Sequence, residues 1–165
     1  MVDVRSAPYS KYVPHFGKRE LEAFLKEHDV VYRYAGEVLG GRPKQADVYK
    51  NSAVPDQDTK REDFLELVQY EEIMKRDWYH KALRHLLTIV RDESASGGRV
   101  AIMCSEANPL ECHRHHLITR SLLDPHVRVL EDEVVVCHIL RDGALETVTP
   151  AAFDKPAGKQ LSLWT

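Results

Sequence analysis

Three short runs rich in apolar and β-branched residues recur along this chain with helical segments between them, and that alternation constrains the fold more than any other feature. The runs are MVDVR at 1–5, VVYRYA at 30–35 and RVAIMC at 99–104. The last is almost uninterruptedly apolar, the mark of a strand buried on both faces. Between the first two, Leu21, Phe24 and Leu25 fall at helical spacing within residues 18–28. Residues 63–75 read as a further helix. Residues 77–91 place Trp78, Ala82, Leu83, Leu86, Leu87 and Val90 on one stripe, which Gly97 and Gly98 end. Strands alternating with helices predict an α/β fold with a mostly parallel sheet flanked by helices. Residues 127–130 and 134–140 read as later strands, and Asp142-Gly143 as the turn into 144–148, giving an antiparallel hairpin at one edge.

A length of 165 residues suits one domain, expected over 1–153, followed by a C-terminal tail at 154–165 whose docking candidates are Leu161, Leu163 and Trp164. The formal net charge of −3 argues against wholesale grip on a phosphate backbone. No apolar run approaches the roughly 18 residues of a membrane span, so no membrane association is expected. Three cysteines without framework spacing point to a reducing compartment, the cytoplasm, with Cys104 and Cys112 unbridged.

In such sheets ligands sit outside the carboxyl ends of the strands. That rule gathers Arg5 and Ser6 after the first strand, Glu37, Gly40, Gly41 and Arg42 after the second, and Cys104, Ser105 and Glu106 after the third. Cys112, His113 and Arg114 follow on the next segment. Here Asn108 as N-cap, Pro109 at N1 and Glu111 at N3 announce a helix expected to run to about Leu123. On that helix Arg114 shares a face with Leu110, Leu117, Ile118 and Ser121. An inward guanidinium has to be paired, so Arg114 is expected to be mostly buried and bonded to a rim carboxylate, Glu106 first and Glu37 second.

These residue types suit a small anionic or nucleotide-like substrate. Arg5, Arg42 and Arg114 are bidentate partners for carboxylate or phosphate, and with Gly40, Gly41 and Cys104 they form the expected binding set. Glu106 and Glu37 are the acid–base pair, assisted by His113 or by Cys112, whose thiol a helix N-terminus would acidify. The bland alternatives are salt bridges among the same charges and cysteines acting as core filler. A zinc site from Cys104, Cys112 and His116 is disfavoured because the two cysteines lie eight residues apart, unlike the usual close ligand pairs, so no metal and no cofactor is expected. No G-x-G-x-x-G follows any strand, which favours hydrolysis or group transfer over redox chemistry. The alternative is a nucleotide- or nucleic-acid-binding module without catalysis, built on Arg5, Lys11, Arg33, Arg42 and Lys44 with Tyr9, Tyr12 and Phe16.

Val2-Asp-Val-Arg5, Glu37-Val-Leu-Gly-Gly-Arg42, Cys104-Ser-Glu106 and Cys112-His-Arg114 together resemble the bacterial and archaeal domain-of-unknown-function family 488, with Val136-Cys-His-Ile139 and Asp142-Gly143 resembling its closing strand and turn. The resemblance implies a Rossmann-like fold and a cytoplasmic protein, and supplies no substrate. The family pattern opens with a further strand and helix, carrying an Ile-Gly-His-Ser-like turn, which is not seen ahead of Met1-Val-Asp-Val-Arg5. Loss of that strand would bare a sheet edge and favour a homodimer.

Overall fold

The computed structural model describes residues 1–154 apart from 11, 57, 58, 131 and 132, with the side chains of 61 and 62 also set aside; the docking residues expected in the tail lie outside the described residues. Its centre is a three-stranded parallel sheet of β1 (Val2–Asp3), β2 (Arg33–Tyr34) and β3 (Ile102–Met103), in the order β2-β1-β3. Val2 pairs with Arg33 and Ile102, and Asp3 with Tyr34 and Met103. Pairing runs past the nominal strands, since the amide of Val4 donates to the Met103 carbonyl and that of Ala35 to the Asp3 carbonyl. The strands therefore stand where expected but are shorter than the apolar runs that encode them. β1 is the central strand, and β2 and β3 are the sheet's edges among the described residues.

The helices are α1 (Lys18–Glu27), α2 (Gly36–Leu39), α3 (Arg61–Leu67), α4 (Tyr70–Ile73), α5 (Asp77–Ala95) and, later, α6 (Arg120–Leu123). α5 buries Tyr79, Leu83, Leu86 and Leu87 against Val4, Leu39, Leu117 and Ile118. The expected stripe is thus correct in phase, with Tyr79 added: its hydroxyl meets Ser121 Oγ at 3.0 Å. α1 buries only Leu21, and Phe24 is exposed.

Three expectations need correction. The helix from Pro109 is not continuous. Asn108 does cap it, accepting from the Leu110 amide at 3.1 Å, but a single 3₁₀ turn (Pro109–Glu111) ends at Cys112, which is extended at φ −126° and ψ 150°. The chain then restarts as a π-helical turn, Arg114–Thr119, that leads into α6. Leu110, on the isolated turn, consequently faces solvent. Secondly, residues 127–130 form no strand; they fold back so that the Val129 amide reaches the Ser121 carbonyl and their apolar side chains pack on the core. Thirdly, the hairpin of β4 (Val136–Ile139) and β5 (Leu145–Val148) is a separate two-stranded sheet and does not extend the parallel one. Its turn uses Gly143 at φ +86°, as Asp142-Gly143 foretold.

The hairpin is fastened to the π-helical turn by His138, whose Nε2 lies 3.0 Å from His115 Nδ1, and by Phe153, which stacks on the His115 ring. Burial, then the neighbouring His116 and His138, pushes His115 down to about 4; burial and Arg114 lower His138. In the unfolded chain both rings titrate near 6.5, so the unfolded state binds more protons below that pH and the stabilisation is lost as pH falls from about 6.5 toward 4. His115 keeps part of its ring in solvent, which holds the effect to about 1–2 kcal/mol. Thermal denaturation at pH 5 should therefore fall about 2–8 °C below that at pH 7.5. His115→Gln should flatten the dependence; an unchanged slope in that variant would refute the assignment.

Candidate functional site

The order β2-β1-β3 places consecutive connections on opposite sides of β1, and in open sheets the crevice at such a point binds ligands. A pocket of about 260 Å³ lies here, lined by residues from all three strand ends, among them Arg5, Ser6, Gly41, Arg42, Cys104 and Glu106. Phe64 and Leu65 of α3, Tyr70 of α4, and Cys112 with His113 complete it.

The reactive groups cluster on one side. Cys104 Sγ lies 2.7 Å from Glu106 Oε2 and 3.6 Å from His113 Nδ1. Cys112 Sγ lies 3.5 Å from the same carboxylate oxygen and 3.6 Å from the same ring nitrogen. All three cysteines are free thiols. Of the two sulfurs Cys112 is the one pushed down: Cys104 beside it is the largest cause, and His113 and the Arg114 amide add to it against burial. Cys112, then burial and Glu106, pushes Cys104 up. A thiolate of this kind is the reactive and metal-ligating form of cysteine.

His113 is 7% exposed, and its Nε2 is buried without a hydrogen-bond partner among the described residues. The ring is held by Gly41: a Cβ there would come within 2.9 Å of His113 Cγ and Nδ1. Gly40 belongs to the same turn, where an added Cβ would meet the Gly36 carbonyl and Ser6 Oγ.

The arginines separate. Arg5 is locked by Asp3 through bonds of 2.9 Å and 2.6 Å and by the Phe16 carbonyl, which spends it as a structural cation. Burial opposes ionisation of Asp3, but hydrogen bonds from Arg5 and Tyr32 prevail and keep its carboxyl below the usual range. Arg114 is half-buried, and among the described residues no carboxylate takes its guanidinium, contrary to expectation. Its Nε donates to Cys112 Sγ at 3.2 Å and its Nη2 to the Glu106 main-chain carbonyl. The break at Cys112 is the reason: Arg114 starts a new helical segment beside that sulfur instead of continuing the old one. Arg42 stacks over Phe64, 4.3 Å from the ring centre. Glu37 does not line the pocket. It is 69% exposed and pairs with Lys44 at 3.8 Å, because α2 turns its side chain away from the pocket.

Of the predicted set, then, Arg5, Gly41, Arg42, Cys104, Glu106, Cys112 and His113 meet at one pocket, Arg114 braces it, and Glu37 and Gly40 do not line it. Tyr70 and Phe64 had no signal in the sequence, since only the long connection after β2 carries them there. His116, weighed as a ligand beside Cys112, bonds instead to the Leu110 carbonyl at 2.6 Å.

An α/β sheet with thiols, a carboxylate and an imidazole gathered at its strand ends is the class these features define. The chain belongs to the family described as domain of unknown function DUF488, which matches residues 1–121 and so includes the whole cluster, while the hairpin lies beyond the match. No curated protein and no solved structure matches it. Among the described residues no helix is long and apolar enough to cross a membrane.

Proposed function

We propose that this protein is a hydrolase or transferase acting on a small anionic or nucleotide-like substrate held in the strand-end pocket, on a sheet of Rossmann-like type. The observation that carries the reading is Arg42. Its amide is fixed by Ser6 Oγ at 2.9 Å and its guanidinium rests on Phe64, yet among the described residues no carboxylate neutralises it, and it shares the pocket with the Cys104–Glu106–Cys112–His113 cluster. A preorganised fork facing a reactive cluster suits an anionic group whose remaining atoms reach the cluster. A pocket of about 260 Å³ suits a ligand at the small end of the usual range.

The charges that would track a nucleic-acid backbone are dispersed: Arg5 is spent on Asp3 and Lys44 pairs with Glu37. That supports the small-molecule reading over the polymer one. The test is thermal shift against nucleotides, sugar phosphates and small carboxylates. A ligand present at 100 times its Kd adds about 2.7 kcal/mol, or about 5–11 °C, and Arg42→Ala should abolish the shift while leaving the unliganded melting temperature within about 2 °C. A shift that survives in Arg42→Ala, or none with any class of ligand, overturns the reading. Steeply salt-dependent binding of an oligonucleotide would favour the non-catalytic alternative instead.

A further inference from the structure

We infer that Cys104, Cys112, His113 and Glu106 form a mononuclear metal site of the zinc class. The inference deepens the proposed function by naming a cofactor for the same pocket, and rests on that reading for its catalytic sense only. A tetrahedral ion with sulfur ligands at about 2.3 Å and nitrogen or oxygen ligands at about 2.0–2.2 Å requires sulfur-to-nitrogen and sulfur-to-oxygen separations of about 3.5–3.6 Å. Cys104 to His113 is 3.6 Å, Cys112 to His113 is 3.6 Å, and Cys112 to Glu106 is 3.5 Å. All four donor atoms lie within 4.8 Å of one another. Of these four separations Cys104 to Glu106, at 2.7 Å, is too short for a shared ion, and the Cys104 thiol proton lies on that contact. An ion replaces this proton, which passes to solvent, and the two groups part by about 0.9 Å to the tetrahedral edge.

The surroundings fit a metal as well as the donors do. Two thiolates and one imidazole select a soft or borderline ion, zinc before magnesium or calcium. Arg114 donates from Nε and from its amide to Cys112 Sγ, and from Nη2 to the Glu106 carbonyl, so one residue braces both ligand-bearing segments from outside. Gly41 fixes the ring that presents Nδ1. The separation of eight residues between the cysteines, which argued against zinc, is bridged by the extended Cys112: the break that spoils the helix brings its sulfur to Cys104. Single-turn π-helical segments such as the one that follows often mark functional sites.

The site opens on the pocket of Arg42, which sets it apart from a closed structural centre. The ion supplies Lewis acidity there, and Glu106 is the ligand whose carboxylate a substrate can displace.

The full-length protein, reduced and stripped of metal, is titrated with cobalt(II) and then with zinc(II). The expected result is one ion per chain, with the intense thiolate-to-cobalt absorption and tetrahedral visible bands, displaced by zinc. Cys104→Ser and Cys112→Ser should weaken binding at least about 100-fold, whereas Cys137→Ser and Arg42→Ala should leave it unchanged. Wild-type protein that shows no thiolate–cobalt band overturns the inference without reference to any variant's folding, as does a band that persists in both cysteine variants. Ligand shifts read separately on metal-free and loaded protein keep the two proposals apart. Metal without any pocket ligand refutes only the proposed function, and a pocket ligand without metal refutes only the site.

Discussion

Asp3→Ala should destabilise the fold by about 3–5 kcal/mol, lowering the melting temperature by about 6–20 °C. Asp3 is fully buried and Arg5 is 6% exposed, and the carboxylate takes two bonds from that guanidinium, one from the Arg5 amide and a fourth from the Tyr32 hydroxyl at 2.7 Å. Removing it strands a buried cation whose other bond is to the Phe16 carbonyl. Leaving one partner of a buried pair unmatched costs far more than replacing the pair, so Asp3→Leu with Arg5→Met should recover much of the loss. Urea denaturation of the three proteins decides the point. A single variant within about 1 kcal/mol of wild type would mean that the pair is not the tie between central strand and loop that it is taken to be.

Gly36→Ala should cost about 3 kcal/mol or more, a fall of about 6–12 °C, although Gly36 has no unusual backbone conformation. A Cβ there would lie 1.9 Å from the Arg5 carbonyl oxygen and 2.7 Å from the Tyr34 ring. The oxygen belongs to the segment leaving the central strand, so relief requires main-chain movement. That movement would carry the Gly40–Gly41 turn off His113, and the variant should lose cobalt affinity as well as stability. Gly97→Ala is the control: Gly97 sits at φ +79° with nothing within 4 Å of the added carbon, so it should pay only backbone strain of about 1–2 kcal/mol. Equal effects at the two positions would show that conformation, not close approach, governs the first.

The metal site and the buried ion pair also change what each charged residue is for. The inward cation was expected on the helix at Arg114, and it is found just past the central strand at Arg5. Arg114 is instead bonded to sulfur and to a main-chain oxygen, which makes it a positioning residue whose removal should disturb the cluster more than the core.

Patterns set by local chemistry were legible in the chain alone. The parallel strand runs, the phase of α5, the Asn108 cap and the Asp142-Gly143 turn each depend on residues a few positions apart, where spacing and side-chain type decide the outcome. The rule that strand ends carry the site then named seven of the residues that line the pocket. What the chain alone did not decide were the choices made between distant segments. The extended break at Cys112 opposes a good local capping signal, and it stands where two sulfurs, a carboxylate and an imidazole converge. Glu37 and Glu106 look equivalent as isolated carboxylates, and only their neighbours separate them, Lys44 in solvent for one and two thiols for the other. Tyr70, Phe64 and His138 reach their places across long connections that carry no periodic signal. Pairing of charges and ligands is a three-dimensional property, because a contact between residues far apart in sequence leaves no trace in the spacing of either one.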